Sequence, residues 1–202
     1  MDDGTKAVVD SWDLAKIALG SGVISAILGG AFHWFKEART GRAERMRQAE
    51  LDSIHLISKL DILAVQCANN FWSYHNVAGQ LKGTDEENAT PGCAKPDLEV
   101  AAIHLASIDR SIASRIAWLE NDVSLGADII QSRWENYLDS DEAADQYANL
   151  VGYFGHQALD ISKALRKKYK LRYTGEKWGM PHVENRLAEC AKDFQNFVER
   201  DD

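Results

Sequence analysis

Apolar residues are distributed along this chain in two ways. From Ile17 to Phe35 they form one run of nineteen residues, IALGSGVISAILGGAFHWF, with no Asp, Glu, Lys or Arg inside it and Lys16 and Lys36 at its borders. Beyond that run they recur every three or four residues, the spacing that lines one face of an α-helix. Strand-like alternation is nearly absent, and Leu, Ala, Ile, Glu, Lys and Arg dominate. The pattern predicts an all-α chain: a single N-terminal transmembrane helix followed by a cytoplasmic helical bundle of about five helices, one of them long. The expected divisions are an extracytoplasmic tail at 1–12, the membrane helix at 13–36 and the cytoplasmic domain at 37–202.

The long helix is expected from about Arg42 to Leu81. Met46, Ala49, Ser53, Leu56, Leu60, Leu63, Cys67, Asn70, Tyr74, Val77 and Leu81 make a heptad seam, and Ile54, Ile57, Ala64, Ala68 and Phe71 widen it. The seam suits a coiled coil and the wide face suits the central helix of a bundle, so one stripe can lie inside the domain and the other between subunits. A flexible loop follows at 82–96, with two prolines, two glycines and an acidic run. The next helix is expected over Asp97–Leu119, then a turn at Asn121-Asp122 and a shorter helix over Ser124–Leu138. Asp139-Ser140-Asp141-Glu142 is a helix start of the capping-box kind and opens a helix to Tyr169. Gly152 and Gly155 on that helix suit close packing. Leu171–Met180 reads as a loop, and Pro181 starts a last helix that ends near Val198.

A bilayer core of about 30 Å takes ~20 apolar residues at ~1.5 Å per residue, so Ile17–Phe35 is just long enough. Its Ile, Leu, Val and Phe residues favour insertion by roughly 2–5 kcal/mol together. The glycines, serines and His33 oppose this, and such a span gains from helix neighbours. Small residues fall at spacing four: Ala18, Gly22, Ala26 and Gly30 in one row, and Ser21, Ser25 and Gly29, continued by His33, in the next. Rows of this kind let helix backbones approach closely in lipid or line a pore. Only Lys6 and Lys16 precede the run, set against Asp2, Asp3, Asp10 and Asp13, whereas Lys36, Arg39, Arg42, Arg45 and Arg47 follow it. The excess of cations places the C-terminal side in the cytoplasm, against anionic lipid headgroups of the inner membrane. The acidic amino end argues against a cleaved signal peptide. The other alternative is a glycine-rich core helix.

The net charge of −8 argues against a dedicated nucleic-acid binder. Cys67, Cys93 and Cys190 are scattered and form no C-x-x-C, which fits neither a disulfide framework nor a zinc site. No E-x-x-H pair occurs for a di-iron bundle, and no arginine precedes a histidine at the short spacing of all-helical ribonucleases of the HEPN type. Phosphate loops and nucleophile elbows are missing too, so no catalytic residue, metal or cofactor is assigned. One local feature stands out: Lys163–Lys177, where Arg166, Lys167, Lys168, Lys170 and Arg172 are interleaved with Tyr169, Tyr173 and Trp178. Cations at a helix end also complement its dipole, so a solvated helix end competes with a headgroup or partner contact.

The expectation is therefore a non-enzymatic, self-associating membrane protein. Its sharper form is an oligomeric pore or membrane-perturbing effector of a bacterial defence-type system. The alternative is a membrane-tethered adaptor that recruits a cytoplasmic protein, or less favourably a nucleic acid, through its basic segment.

Overall fold

The computed structural model describes residues 22–82, 92–136, 139–173 and 175–200, with side chains from Arg39 onward except those of Glu176 and Trp178. Among these residues every regular element is helical: α1 Gly22–Leu81, α2 Ala102–Ser107, α3 Arg110–Asn136, α4 Ser140–Tyr169 and α5 Met180–Glu199, with a 3₁₀ turn at Gly175–Trp178. The all-α class and the count of about five helices are as the periodicity predicts. The chain divides into two units between Arg47 and Gln48.

In the first unit α1 is already helical from Gly22, and Gly41 does not interrupt it. Arg39 to Arg47 are all exposed. Residues 17–21 of the apolar run lie outside the described residues. Among the described residues no helix is long and apolar enough to cross a membrane.

The second unit is the bundle. The predicted seam of α1 buries Ala49, Ser53, Leu56, Leu60, Leu63, Cys67 and Tyr74, and Ile57, Ala64, Ala68 and Phe71 widen it. Ile54 departs from that set and is 49% exposed. Asn70 lies at the edge of the seam and donates to the carbonyl of Ala94 at 2.7 Å. It thereby holds the chain that leads into α2. Residues 83–91 of the predicted loop lie outside the described residues. The following stretch is tied down: Cys93 is buried, Leu98 N–H donates to Glu120 at 3.1 Å, and Lys95 lies 5.3 Å from the Phe154 ring centre.

The expected helix over Asp97–Leu119 breaks in two. Residues 92–101 are irregular, α2 is one short helix, and Ile108-Asp109 separates it from α3. The Asp109 carboxylate accepts from the N–H of Ser111 at 3.0 Å and of Ile112 at 3.4 Å, which caps a new helix start. The turn expected at Asn121-Asp122 does not form. Ile112, Ile116, Leu119, Val123, Gly126 and Ile130 make one unbroken buried row, and Asn121 simply points to solvent. Tertiary packing overrides the weak dislike of Asn and Asp for helix interiors.

The capping residue of α4 is as predicted: Asp139 accepts from Glu142 N–H at 2.7 Å. At the other end Lys170 adopts a left-handed conformation (φ 54), and its N–H returns to the Arg166 carbonyl. This helix packs against both α3 and α5. It also meets α1, because a Cβ added to Gly155 would lie 2.7 Å from Cys67 Cβ, and one added to Gly152 would collide with Cys190 Cβ on α5. Replacing Gly152 by Ala therefore overpacks the contact and should destabilise the bundle by about 1–3 kcal/mol. Gly79 on α1 has open space around it, so Gly79→Ala should instead stabilise by up to about 1 kcal/mol through helix propensity. Thermal melting followed by circular dichroism checks both signs.

Candidate functional site

Buried polar groups concentrate where residues 48–61 of α1, α2, the start of α3 and the last turns of α4 come together. Asp52 sits on the buried side of α1, 6% exposed. Its carboxylate accepts from Ser107 Oγ at 2.5 Å and from Gln48 Nε2 at 3.0 Å, and His104 Nδ1 lies 2.7 Å from its other oxygen. An ionised carboxylate only accepts, so His104 carries its proton on Nδ1 in this contact. The His55 ring lies 4.6 Å from that of His104. Burial alone would raise the Asp52 pKa, but the hydrogen bonds from Ser107, Gln48 and His104 prevail and hold it below the ordinary value of 3.8. Asp, His and Ser meet here, yet not as a nucleophilic relay. Both donors converge on one carboxylate, and a carboxylate held below its usual range is a weak base for the Ser107 hydroxyl.

The second anchor is Asp61. It accepts from Ser162 Oγ at 2.7 Å and pairs with Arg166, whose guanidinium also donates to Ser162 and lies 4.9 Å from the Tyr173 ring centre. The third is Asp109, which accepts from Lys168 Nζ at 2.7 Å, while its own N–H donates to Tyr169 Oη at 2.9 Å. The Lys168 ammonium and the α3 amides lower the Asp109 pKa, and Asp109 raises that of Lys168. Lys163 pairs with Glu184 of α5.

The basic segment thus has two populations. Lys163, Arg166 and Lys168 are paired with Glu184, Asp61 and Asp109, and so tie α4 to α5, α1 and the α3 start. Lys167, Lys170 and Arg172 are exposed and have no carboxylate partner among the described residues. Between them runs a groove of about 300 Å³ lined by Lys163, Arg166, Lys167, Leu171 and Tyr173. The composition of the segment was legible in the sequence. The division between paired and unpaired cations was not, because the pairing carboxylates lie 21 to 105 residues away.

The residues assigned to membrane-helix packing lie elsewhere. Ala18 and Ser21 fall outside the described residues. Gly22, Ser25, Ala26, Gly29, Gly30 and His33 are all on the helical backbone of α1, so their spacing of four places them in adjacent rows. Lys36 continues that helix, followed by the exposed Arg39, Arg42, Arg45 and Arg47. The three cysteines are free and buried. Burial pushes their thiols up, to about 12 for Cys67 and Cys190 and about 11 for Cys93, so none is a reactive thiolate. Among the described residues no cluster of His, Cys, Asp and Glu is placed to hold a metal ion.

The Asp52 knot makes the bundle acid-sensitive in a definite direction. Its folded pKa lies below the unfolded one, so its contribution to stability is complete above about pH 5 and is lost as pH falls through 3.8 and then through the lower folded value. Asp52→Asn should be less stable than the parent at neutral pH. Its stability should also fall less steeply between about pH 6 and about pH 2.5 in denaturant titrations. Parallel pH profiles would mean that Asp52 contributes nothing to the acid response. Comparison with protein-family models, with curated proteins and with solved structures gave no match.

Proposed function

We propose that this chain is a membrane-anchored, self-associating helical protein. In this reading the run Ile17–Phe35 crosses an inner membrane, the residues before it lie outside, and the bundle lies in the cytoplasm. The observation that carries the reading is the uncharged run preceded by only two cations, Lys6 and Lys16, and followed by five, Lys36, Arg39, Arg42, Arg45 and Arg47.

Two features of α1 support it. The helix runs without interruption from Gly22 to Leu81, so the small-residue positions form continuous rows suited to close helix approach. Farther along, Leu51, Ile54 and Ile62 are 49–53% exposed on the face opposite the seam, and Met46 is 60% exposed. A helix apolar on two faces suits a bundle on one side and another copy of itself on the other. If copies close into a ring, the Ser21–Ser25–Gly29–His33 row becomes a pore lining, and the protein acts as a membrane-perturbing effector of the defence type. The second reading, a tethered adaptor, rests on the unpaired Lys167, Lys170 and Arg172.

The full chain should pellet with membranes after lysis and require detergent for release. The detergent-solubilised particle should have an oligomeric mass that drops in Gly22→Leu and Ser25→Leu variants and on deletion of residues 1–36. Expression should depolarise cells in a manner lost with the same variants. A full chain that stays in the supernatant removes the anchor. A monomeric particle removes self-association, and an oligomer without depolarisation removes the pore and favours the adaptor.

A further inference from the structure

We propose that the groove at the end of α4 is a binding site for a phosphoryl group, presented either as a free phosphate or phosphate ester or as an anionic lipid headgroup. The groove lies between the last turns of α4 and the 171–173 segment and is lined by Lys163, Arg166, Lys167, Leu171 and Tyr173. Three cationic side chains line one open volume of about 300 Å³, mostly with their aliphatic stems.

Arg166 is prepared for such a ligand. Its side chain is 13% exposed, held by Asp61 and Ser162 on one edge and stacked near Tyr173. A guanidinium presents five N–H donors, and Asp61 and Ser162 do not use them all. A fixed, planar fork of this kind matches phosphate oxygens and loses little freedom on binding. Lys167 sits one residue on, exposed and without a carboxylate partner among the described residues. Lys163 is paired with Glu184, but the two side chains are 48% and 37% exposed. A pair in that setting is weak, so sharing Lys163 with an incoming dianion costs little.

The charge balance decides whether an anion is attracted. Residues 163–173 contain six cations and no acid. Asp61, Glu184 and Asp109 offset three of them, which leaves three in excess on a chain of net charge −8. The negative end of the α4 dipole opposes an anion by about half a charge. That end is partly masked, since the N–H groups of Lys170 and Leu171 both return to the Arg166 carbonyl. Leu171 and Tyr173 add an apolar wall, against which the organic part of an ester or the glycerol of a lipid can pack. The site stands whether or not the chain crosses a bilayer; only the source of the phosphoryl group depends on that reading.

The test uses the full chain, first in a phosphorus-free detergent with inorganic phosphate, then in phosphatidylcholine nanodiscs with and without phosphatidic acid, both followed by ³¹P line broadening. Lys167→Glu is the diagnostic variant and Lys192→Glu, an exposed lysine on α5 away from the groove, the control. Melting curves confirm that both fold. The charge reversal at Lys167 should weaken binding about tenfold or more, and the control should leave it within about twofold. Broadening of the phosphate line alone supports a free anion, and broadening confined to phosphatidic acid supports a headgroup. No broadening in either arm overturns the proposal, as does equal loss in the two variants. A single-stranded oligonucleotide bound far more tightly than phosphate, and lost with Lys167→Glu, overturns it in favour of a nucleic-acid surface.

Discussion

The bundle depends on how closely its neighbours approach α4. At Gly152 and Gly155 the missing Cβ atoms leave room for Cys190 of α5 and Cys67 of α1, at distances no side chain could share. Leu187 of α5 also closes on Gly155, so α1 and α5 are both registered against the same turn of α4. Small residues at such points trade a loss of helix propensity, about 1 kcal/mol per glycine, for backbone proximity and the dispersion contacts that go with it. The cysteine side chains that fill these gaps, Cys190 through Cβ and Sγ and Cys67 through Cβ, are compact and inert. Burial keeps their protons on, which suits atoms used for packing.

That register sets the electrostatics. Ser162 is seven residues beyond Gly155, two helical turns along the same face, and Asp61 is six residues before Cys67 on the opposed helix. Asp61 sits to one side of the Cys67 face of α1 and from there reaches Ser162 and Arg166. The same end of α4 reaches Asp109 through Lys168 and Glu184 through Lys163. These exposed pairs contribute little each. Their carboxylates come from different elements, however, so together they discriminate against a shifted α4. Arg166 differs in degree, being mostly buried with a carboxylate and a hydroxyl on one edge. What remains unneutralised, Lys167, Lys170 and Arg172, is therefore a true excess of charge and not a set of cations waiting for partners inside the fold.

Much of this was legible in the sequence because it is periodic or local. The seam from Ala49 to Tyr74, the inward row of α4, the Asp139 cap and the proline at the start of α5 all follow from spacing within one helix. The misreadings share a different cause. Asp109 starts a helix inside what reads as one apolar repeat, because a cap competes with a pattern that either side of it would continue. Asn121-Asp122 has turn chemistry, yet the row from Ile112 to Ile130 outweighs it. Asp52 is a different case, for no pattern in the sequence singles it out. Its partners are His104 and Ser107, more than fifty residues away across a connection with no periodicity. Only the fold brings them together.

The long helix carries one further consequence of the same logic. Leu56, Leu60 and Leu63 are buried on one side of α1, and Leu51, Ile54 and Ile62 are half exposed on the other, over the same three turns. A soluble helix ordinarily buries one stripe and solvates the rest. Burying each of the outer side chains fully would gain roughly 1.5–3 kcal/mol relative to leaving it exposed, and each is already about half covered. The outer stripe is interrupted by Ser58 and flanked by His55 and Lys59, so it is narrower and more polar than the inner one. In the proposed self-association, that asymmetry suits a contact made after the bundle has folded better than one on which folding depends. Under the proposed membrane anchor such a contact would be favoured further, because confinement in a plane raises the effective concentration of the partner stripe without any new interaction.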